Sequence, residues 1–311
     1  MDPIIFDGEV AIITGAGRGI GRSYAELLAA RGARVVVNDV GVSVDGTNDE
    51  GHSPAEEVAN AINASGGIAI ADNSDISTVD GASALVGKSI SAFGQIDIVV
   101  NNAGIYSLDS FPDLEISTMQ RHFDVHVGGS FNVTKAAWNY LAASGNGRVV
   151  LTTSTGALGA ENMVAYGTAK GAVVGFGRAL AHAGVPHGIK VNLVAPMAMT
   201  RMMASGAGID GDVPIDPLRE PGLVAPLVVL LCHRSCPVNG ETFVNGMRRA
   251  SKLVFAENRG YTHPDLNLTP EVIAEHWSEI DSDDALAIQT GTMAEAFYMA
   301  SLIDPSLLDM S

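Results

Sequence analysis

VAIITGAGRGIG, residues 10–21, decides the reading of this chain. Its first five residues are a short β-branched apolar run, the composition of a strand covered on both faces. A glycine-rich turn follows at once, and then Ile20, Tyr24, Leu27 and Leu28 recur at the spacing of one helix face. Strand, turn and helix in direct succession aim the helix N-terminus at whatever the turn holds. Gly15, Gly19 and Gly21 let backbone approach a pyrophosphate there, with Arg18 and Ile20 in the same loop. A tight turn alone would also select glycine, so the loop needs its context. RVVVND (34–39) supplies it, a second strand that ends on an acidic residue at the position a dinucleotide site requires.

That residue, Asp39, can accept hydrogen bonds from ribose hydroxyls and would repel a 2′-phosphate, which points to NAD rather than NADP. Arg18 pulls the other way, since a basic loop residue can reach such a phosphate. No second basic residue follows Asp39, and the carboxylate carries more weight.

Working outward, GIAIAD (67–72), IDIVVNNAG (96–104), RVVLTTS (148–154), IKVNLVAP (189–196) and ETFVNG (241–246) read as further strands. Helical patterns fill 55–65, 78–93, 117–143 and 164–184. Apolar strands alternating with helices imply parallel pairing with both sheet faces covered. The expected fold is α/β, a Rossmann-type doubly wound parallel sheet of seven strands with helices on both faces. It occupies residues 1–246, and 247–311 form a C-terminal extension that covers substrate or makes an oligomer contact.

The 311 residues carry 35 Asp+Glu against 18 Lys+Arg, a formal charge of -17. Such a surface disfavours nucleic acid and anionic membranes, and any anionic ligand must meet local cations. No signal peptide is read at the start, no apolar run long enough to span a bilayer, and no peroxisomal address in LLDMS. A cytoplasmic protein is expected, with Cys232 and Cys236 as reduced thiols near a helix end.

The strand at 148–154 delivers Ser154, with Thr153 as a rival, and twelve residues later come Tyr166 and Lys170. At i and i+4 these two share a helix face. A free phenol titrates about three units too high for a general base at neutral pH, a gap of roughly 4 kcal/mol that a nearby ammonium, helped by the positive nicotinamide ring, can close. An isolated Tyr-x-x-x-Lys occurs on many amphipathic surface helices. Its place after a dinucleotide motif and a serine-bearing strand gives it meaning.

TGAGRGIG, NNAG (101–104), Ser154 and Tyr166-x-x-x-Lys170, in this order and spacing, resemble the short-chain dehydrogenase/reductase family over about the first 246 residues. The resemblance implies hydride transfer between an alcohol carbon and a nicotinamide cofactor. Tyr166 is then the acid/base, Lys170 lowers its pKa and binds the nicotinamide ribose, and Ser154 holds the substrate oxygen. It further implies cofactor contacts from Asn102, Ala103, Gly104, Pro196 and Asp75, the last at the adenine. The chain departs from the family at Pro196-Met197, where Pro-Gly is usual, yet Thr200 remains placed to contact the carboxamide. The Ser154–Tyr166 spacing is one residue shorter than the usual pattern. A dimer or tetramer is also implied.

VVVNDVG with the Gly/Asp-rich insertion at 41–53, DVHVGGSFNVTKAAW, APLVVLLCHRSC and, more weakly, TPEVIAEHWSEI resemble one branch of this family. That branch is the (3R)-hydroxyacyl-CoA dehydrogenase unit of type-two peroxisomal multifunctional enzymes and its stand-alone bacterial relatives. The resemblance implies NAD-linked oxidation of a (3R)-3-hydroxyacyl-CoA, with room for a bulky steroid or terpenoid acyl group. Arg248, Arg249, Lys252 and Arg259 place four of 18 basic residues within twelve positions, where even spreading gives about one. They form either a contact for CoA phosphates or a solvated face or subunit contact. Met197, Met199, Met202 and Met203, among small residues, suit an adaptable cover over an apolar substrate, with core packing as the alternative. Two other functions stay open, a dehydrogenase for free hydroxysteroids or similar alcohols and a non-catalytic NAD-binding sensor.

His122 and His126 stand four apart, which on a helix is also a metal-ligand spacing. No third ligand lies at useful spacing, and the chemistry above needs no metal. The expected apolar stripe is Met119, Phe123, Val127 and Phe131, with His126 bordering the buried face and His122 exposed or merely packed. The family usually has asparagine at the His126 position, in the proton relay behind the lysine. The resemblance therefore makes His126 a relay residue.

Overall fold

The computed structural model describes residues 3–47, 53–206, 216–264 and 267–303. The chain forms two compact units, Met1–Lys252 and Leu253–Ser311. In the first unit the strands are β1 Val10–Thr14, β2 Arg34–Asn38, β3 Ile68–Asp72, β4 Ile98–Asn101, β5 Arg148–Thr152, β6 Lys190–Met197, β7 Thr242–Gly246 and β8 Arg249–Leu253. They lie in the order β3-β2-β1-β4-β5-β6-β7-β8. Every paired neighbour from β3 to β7 is parallel. The order reverses between β1 and β4, which opens a crevice at the carboxyl ends of these strands, where doubly wound sheets bind ligands.

Strand pleating separates the core into two layers. Ala11 and Ile13 of β1 point into one, with Tyr24, Leu28, Val58 and Val228 from the helices on that side. Ile12 points into the other, with Leu85, Val133, Leu141 and Val173. The helices on the first side are α1 Gly19–Ala30, α2 Pro54–Ala64 and α8 Ala225–Cys232; on the second lie α3 Val79–Phe93, α4 Ile116–Phe123, α5 Gly129–Ala143 and α6 Val164–Gly184. A short α7, Arg201–Gly206, follows β6. None of the described helices is long and apolar enough to cross a membrane. Cys232 and Cys236 are buried free thiols.

Two expectations are corrected here. The sheet has eight strands rather than seven. Met247 and Arg248 both take positive φ, 50° and 62°, and turn the chain from β7 straight into β8. A two-residue loop of this kind makes a hairpin, so the added strand is antiparallel at the sheet edge. Its sequence RASKL carries charges, as edge strands do, and so lacks the apolar signal that marks the others. The second correction concerns 117–143, which is not one regular helix. A π-helical turn, Asp124–Gly128, separates α4 from α5 and shifts the helical phase. Phe131 consequently turns outward at 46% exposure, while Gly129, Ser130, Val133 and Ala137 face the core. His122 and His126 are both buried.

The second unit pairs two short antiparallel strands, β9 Ala256–Glu257 and β10 Ala287–Ile288. Its helices are α9 Pro270–Glu275, α10 Trp277–Ile280 and α11 Thr292–Ile303. Asn258 Nδ2 donates to the Ile280 carbonyl at 2.9 Å, and Tyr261 stacks on His276 with ring centroids 3.7 Å apart.

Candidate active site

The segments leaving β1 through β6 surround one cleft of about 1100 Å³. At its base lies the glycine loop. Gly15 and Gly19 have φ of +62° and +53°, a backbone region L side chains rarely adopt. A Cβ on Gly21 would lie 2.3 Å from the Gly15 carbonyl oxygen, so the loop and the first turn of α1 close only around glycine. Asn102 locks this loop to the end of β4, its Nδ2 donating to the carbonyls of Thr14 and Gly15 at 3.0 and 3.1 Å. Thr14 Oγ1 accepts from the backbone of Asn102 and Ala103. Residue 18, which caps α1, offers no side-chain hydrogen bond to the helix, and the first turn holds no acidic residue. The first-turn amides of α1 therefore meet no cap or carboxylate from the helix's own residues, the condition of an anion-binding end.

Asp39 lines the cleft with its carboxylate already oriented by two backbone amides, Gly17 at 3.0 Å and Gly41 at 2.9 Å. Arg18 reaches the Val42 carbonyl at 3.5 Å, beside that carboxylate's loop. Asp75, Ile76 and Ser77 line the same end. Pro196 and Thr200 line the other side, and the Thr200 methyl would be 3.3 Å from a Cβ on Gly19. The arrangement of amides, acidic residue and open groove fits a dinucleotide.

The reacting end is built on α6. Tyr166 and Lys170 share a face of that helix and are both buried. Lys170 Nζ donates to the Thr152 carbonyl at 2.8 Å and lies 5.7 Å from the Tyr166 ring centroid. Ser154 stands two residues beyond β5, accepts from the Gly156 amide at 3.0 Å and lies close enough to the Tyr166 phenol to favour its ionised form. Thr153, the rival for the serine, is buried with its hydroxyl donating to the Lys170 carbonyl at 2.7 Å. Both residues line the cleft, but the Thr153 hydroxyl is committed to bracing the helix, which leaves Ser154 as the hydroxyl beside Tyr166.

Burial pushes the Tyr166 phenol up, partly opposed by the Ser154 hydroxyl, and pushes the Lys170 amine down to about 7. Without a further cation, water exclusion favours the neutral form of both groups, so the lysine alone does not produce a phenolate.

Behind this pair, His126 Nε2 donates to the Ile105 carbonyl at 2.9 Å, and its Nδ1 is buried without a partner among the described residues. A Cβ on Gly104 would meet His126 Nδ1 at 3.0 Å and Lys170 Nζ at 3.6 Å, so both nitrogens converge on that glycine. His122 stacks on His126 at 5.8 Å and hydrogen-bonds the Thr118 carbonyl at 3.0 Å. Burial lowers the pKa of both imidazoles. Among the described residues no group of three or more His, Cys, Asp or Glu is placed to hold a metal ion.

Of the residues singled out for substrate, Met202 lines the cleft together with Met197 and Met203. Met199 is not among the lining residues; its amide donates to the Arg219 carbonyl. The Gly/Asp/Pro segment after the methionines lies outside the described residues. Arg248 and Arg249 sit on the β7–β8 hairpin and Lys252 pairs with Glu241 at 2.6 Å, all outside the cleft lining. The lining also contains Tyr106, Arg121, Met163 and Arg201, which were not read as site residues. Position is the only sequence signal for Tyr106, two residues after NNAG, for Met163, just before α6, and for Arg201, next to Thr200; Arg121 in α4 has none.

Residues 9–208 match the short chain dehydrogenase family. The chain is 37% identical over 295 residues to peroxisomal multifunctional enzyme type 2 of Drosophila melanogaster, covering 94% of this chain and 48% of that one. The solved full-length structure of the fly enzyme superposes with a TM-score of 0.76 at 30% identity, covering 98% of this chain and 49% of that one. A short-chain type dehydrogenase/reductase of Mycobacterium tuberculosis is 36% identical over 276 residues, 87% of this chain and 93% of the relative. A 7α-hydroxysteroid dehydrogenase solved with NADH and 7-oxo glycochenodeoxycholic acid has a TM-score of 0.69 at 30% identity, covering 79% and 97% of the two chains. The chain thus spans about half the length of the multifunctional relative and nearly all of the mycobacterial one. With a matched region of this extent and the serine, tyrosine and lysine converging on one cleft, the chain belongs to the short-chain dehydrogenase family.

Proposed function

We propose that this oxidoreductase uses NAD to oxidise the hydroxyl of a (3R)-3-hydroxyacyl-CoA. The observation that carries this reading is the 37% identity, across 94% of the chain, to an enzyme of the branch for which the sequence resemblance implies that substrate. The Asp39 carboxylate, held by two amides at the adenosine end, supports NAD over NADP. When bound, NAD+ supplies the hydride acceptor and a positive ring at the reacting end. Ser154 holds the substrate oxygen, and Tyr166 Oη takes its proton. Lys170 stabilises the resulting charge, while His126 keeps the loop at Ile105 in place and faces Lys170 as the relay residue. Arg18, Arg121 and Arg201 are the arginines lining the cleft, so they are better placed for phosphate groups than Arg248, Arg249 and Lys252. The stand-alone mycobacterial relative supports placing the protein in the cytoplasm, and the family resemblance supports a homodimer or homotetramer.

The deciding assay measures NADH formed from paired (3R)- and (3S)-3-hydroxyacyl-CoAs and from free hydroxysteroids. Turnover is expected with the (3R) thioesters. Oxidation of free ring alcohols without turnover of any thioester would replace the reading with a hydroxysteroid dehydrogenase, a reading favoured by the bile-acid complex of the 7α-hydroxysteroid neighbour. Tyr166→Phe should lower kcat by about 1000-fold while leaving the NAD dissociation constant within about twofold. Unchanged cellular function in that variant would support a non-catalytic NAD sensor instead.

A further inference from the structure

Next to Tyr166 the cleft holds a second phenol, which the mechanism above does not use. Tyr106 lines the cleft two residues beyond Gly104, half-buried, with its ring edge-on to that of Tyr166 at a centroid distance of 5.1 Å and 78° between planes. Its backbone is held from two sides. The Tyr106 amide donates to the Val44 carbonyl at 3.0 Å, and the preceding Ile105 carbonyl accepts from His126 at 2.9 Å. Gly46 closes against Ile105, where a Cβ would lie 2.8 Å from the isoleucine Cγ2. This loop therefore sets the ring firmly. The hydroxyl, by contrast, makes no intramolecular hydrogen bond among the described residues. Burial pushes the phenol up, so it stays protonated and remains a donor at working pH.

Ser154 and Tyr166 already serve the reacting oxygen. A donor beside Tyr166 and open to the cleft serves a different atom of the same molecule, close to the first along its chain. A 3-hydroxyacyl thioester carries such an atom, the C1 carbonyl oxygen two carbons from the reacting carbon. A simple secondary alcohol has none. We infer that Tyr106 is a specificity-determining residue, donating a hydrogen bond to an acceptor β to the reacting carbon and thereby selecting β-oxygenated substrates. The inference rests on the proposed thioester reading for its substrate class, but not on recognition of CoA itself.

Tyr106→Phe keeps the ring against Tyr166 and removes only the donor. The test compares wild type and variant on 3-hydroxybutyryl N-acetylcysteamine thioester, which lacks the CoA nucleotide, on 4-hydroxy-2-pentanone, a β-hydroxy ketone, and on 2-pentanol. The expected result is a loss of about 10-fold in kcat/KM, mainly in KM, for both β-oxygenated substrates, and less than about twofold for the alcohol. Tm and the NAD dissociation constant should not move. Equal losses on all three would overturn the inference and make Tyr106 a positioning residue for Tyr166. No loss on any would leave it an aromatic wall. Wild type that prefers 2-pentanol to both β-oxygenated substrates would also overturn it. Activity on the β-hydroxy ketone with none on CoA thioesters would sink the proposed substrate while leaving Tyr106 to be judged by the same ratio.

Discussion

Lys170 shows how one buried side chain ties catalysis to stability. Its amine is pushed from 10.5 down to about 7 by burial. Between those values the unfolded chain holds the proton and the folded cofactor-free protein does not. Stability therefore rises with pH across that window, by up to about 5 kcal/mol, and the whole burial penalty is present below pH 7. Lys170→Met removes the titrating group. Relative to wild type its unfolding free energy should lack that slope, and at pH 7 it should be at least as stable although turnover is lost. Denaturant melts from pH 6 to pH 10 check this. A variant clearly less stable at pH 7 would mean that the ammonium's bond to the Thr152 carbonyl outweighs its desolvation. Tyr166 and Lys170 were legible as a pair from their spacing together with their place after the glycine loop and the serine-bearing strand. Their protonation was not, because it depends on how completely β5 and α6 exclude water.

At the scale of elements, the segment from α4 through the π turn to α5 departs most from its sequence pattern. Regular 3.6-residue spacing predicted a stripe ending at Phe131, and the wide turn at Asp124–Gly128 broke the phase. The same turn buries both histidines and stacks them 5.8 Å apart behind Tyr166. His126 then reaches the Ile105 carbonyl with one nitrogen and leaves the other beside Lys170. His126→Asn should largely preserve turnover, whereas His126→Ala should slow it by about 10-fold, since a buried carbonyl and the relay both lose a partner. Steady-state rates for the three proteins decide it, and equal activity would end the relay role.

The whole molecule sets the long-range field. A formal charge of -17 repels a CoA thioester before any contact forms. Raising ionic strength from about 10 to 150 mM shortens the Debye length from about 30 to 8 Å and should raise kcat/KM for CoA substrates. For uncharged 4-hydroxy-2-pentanone, assayed with saturating NAD, the change should be small. A fall with salt for the CoA substrates would show that cleft arginines such as Arg201 dominate over the acidic surface. All the cleft-lining residues belong to the unit Met1–Lys252.

VAIITGAGRGIG and the strands after it specified the doubly wound sheet because apolar periodicity and glycine placement are local properties that a linear reading captures. The order of Ser154, Tyr166 and Lys170 likewise survives in the chain. The edge strand β8 escaped notice because its charges hide it, and Thr153 and Ser154 were separated only once one hydroxyl turned to the Lys170 carbonyl and the other to the cleft. Arg248, Arg249 and Lys252 clustered in sequence yet belong to the β7–β8 hairpin and are not among the cleft lining. Tyr106 carries no motif, and what gives it a place is the approach of its loop to Val44 and His126 and of its ring to Tyr166. Contacts between residues distant in sequence depend on how the layers pack, and tertiary structure decides them.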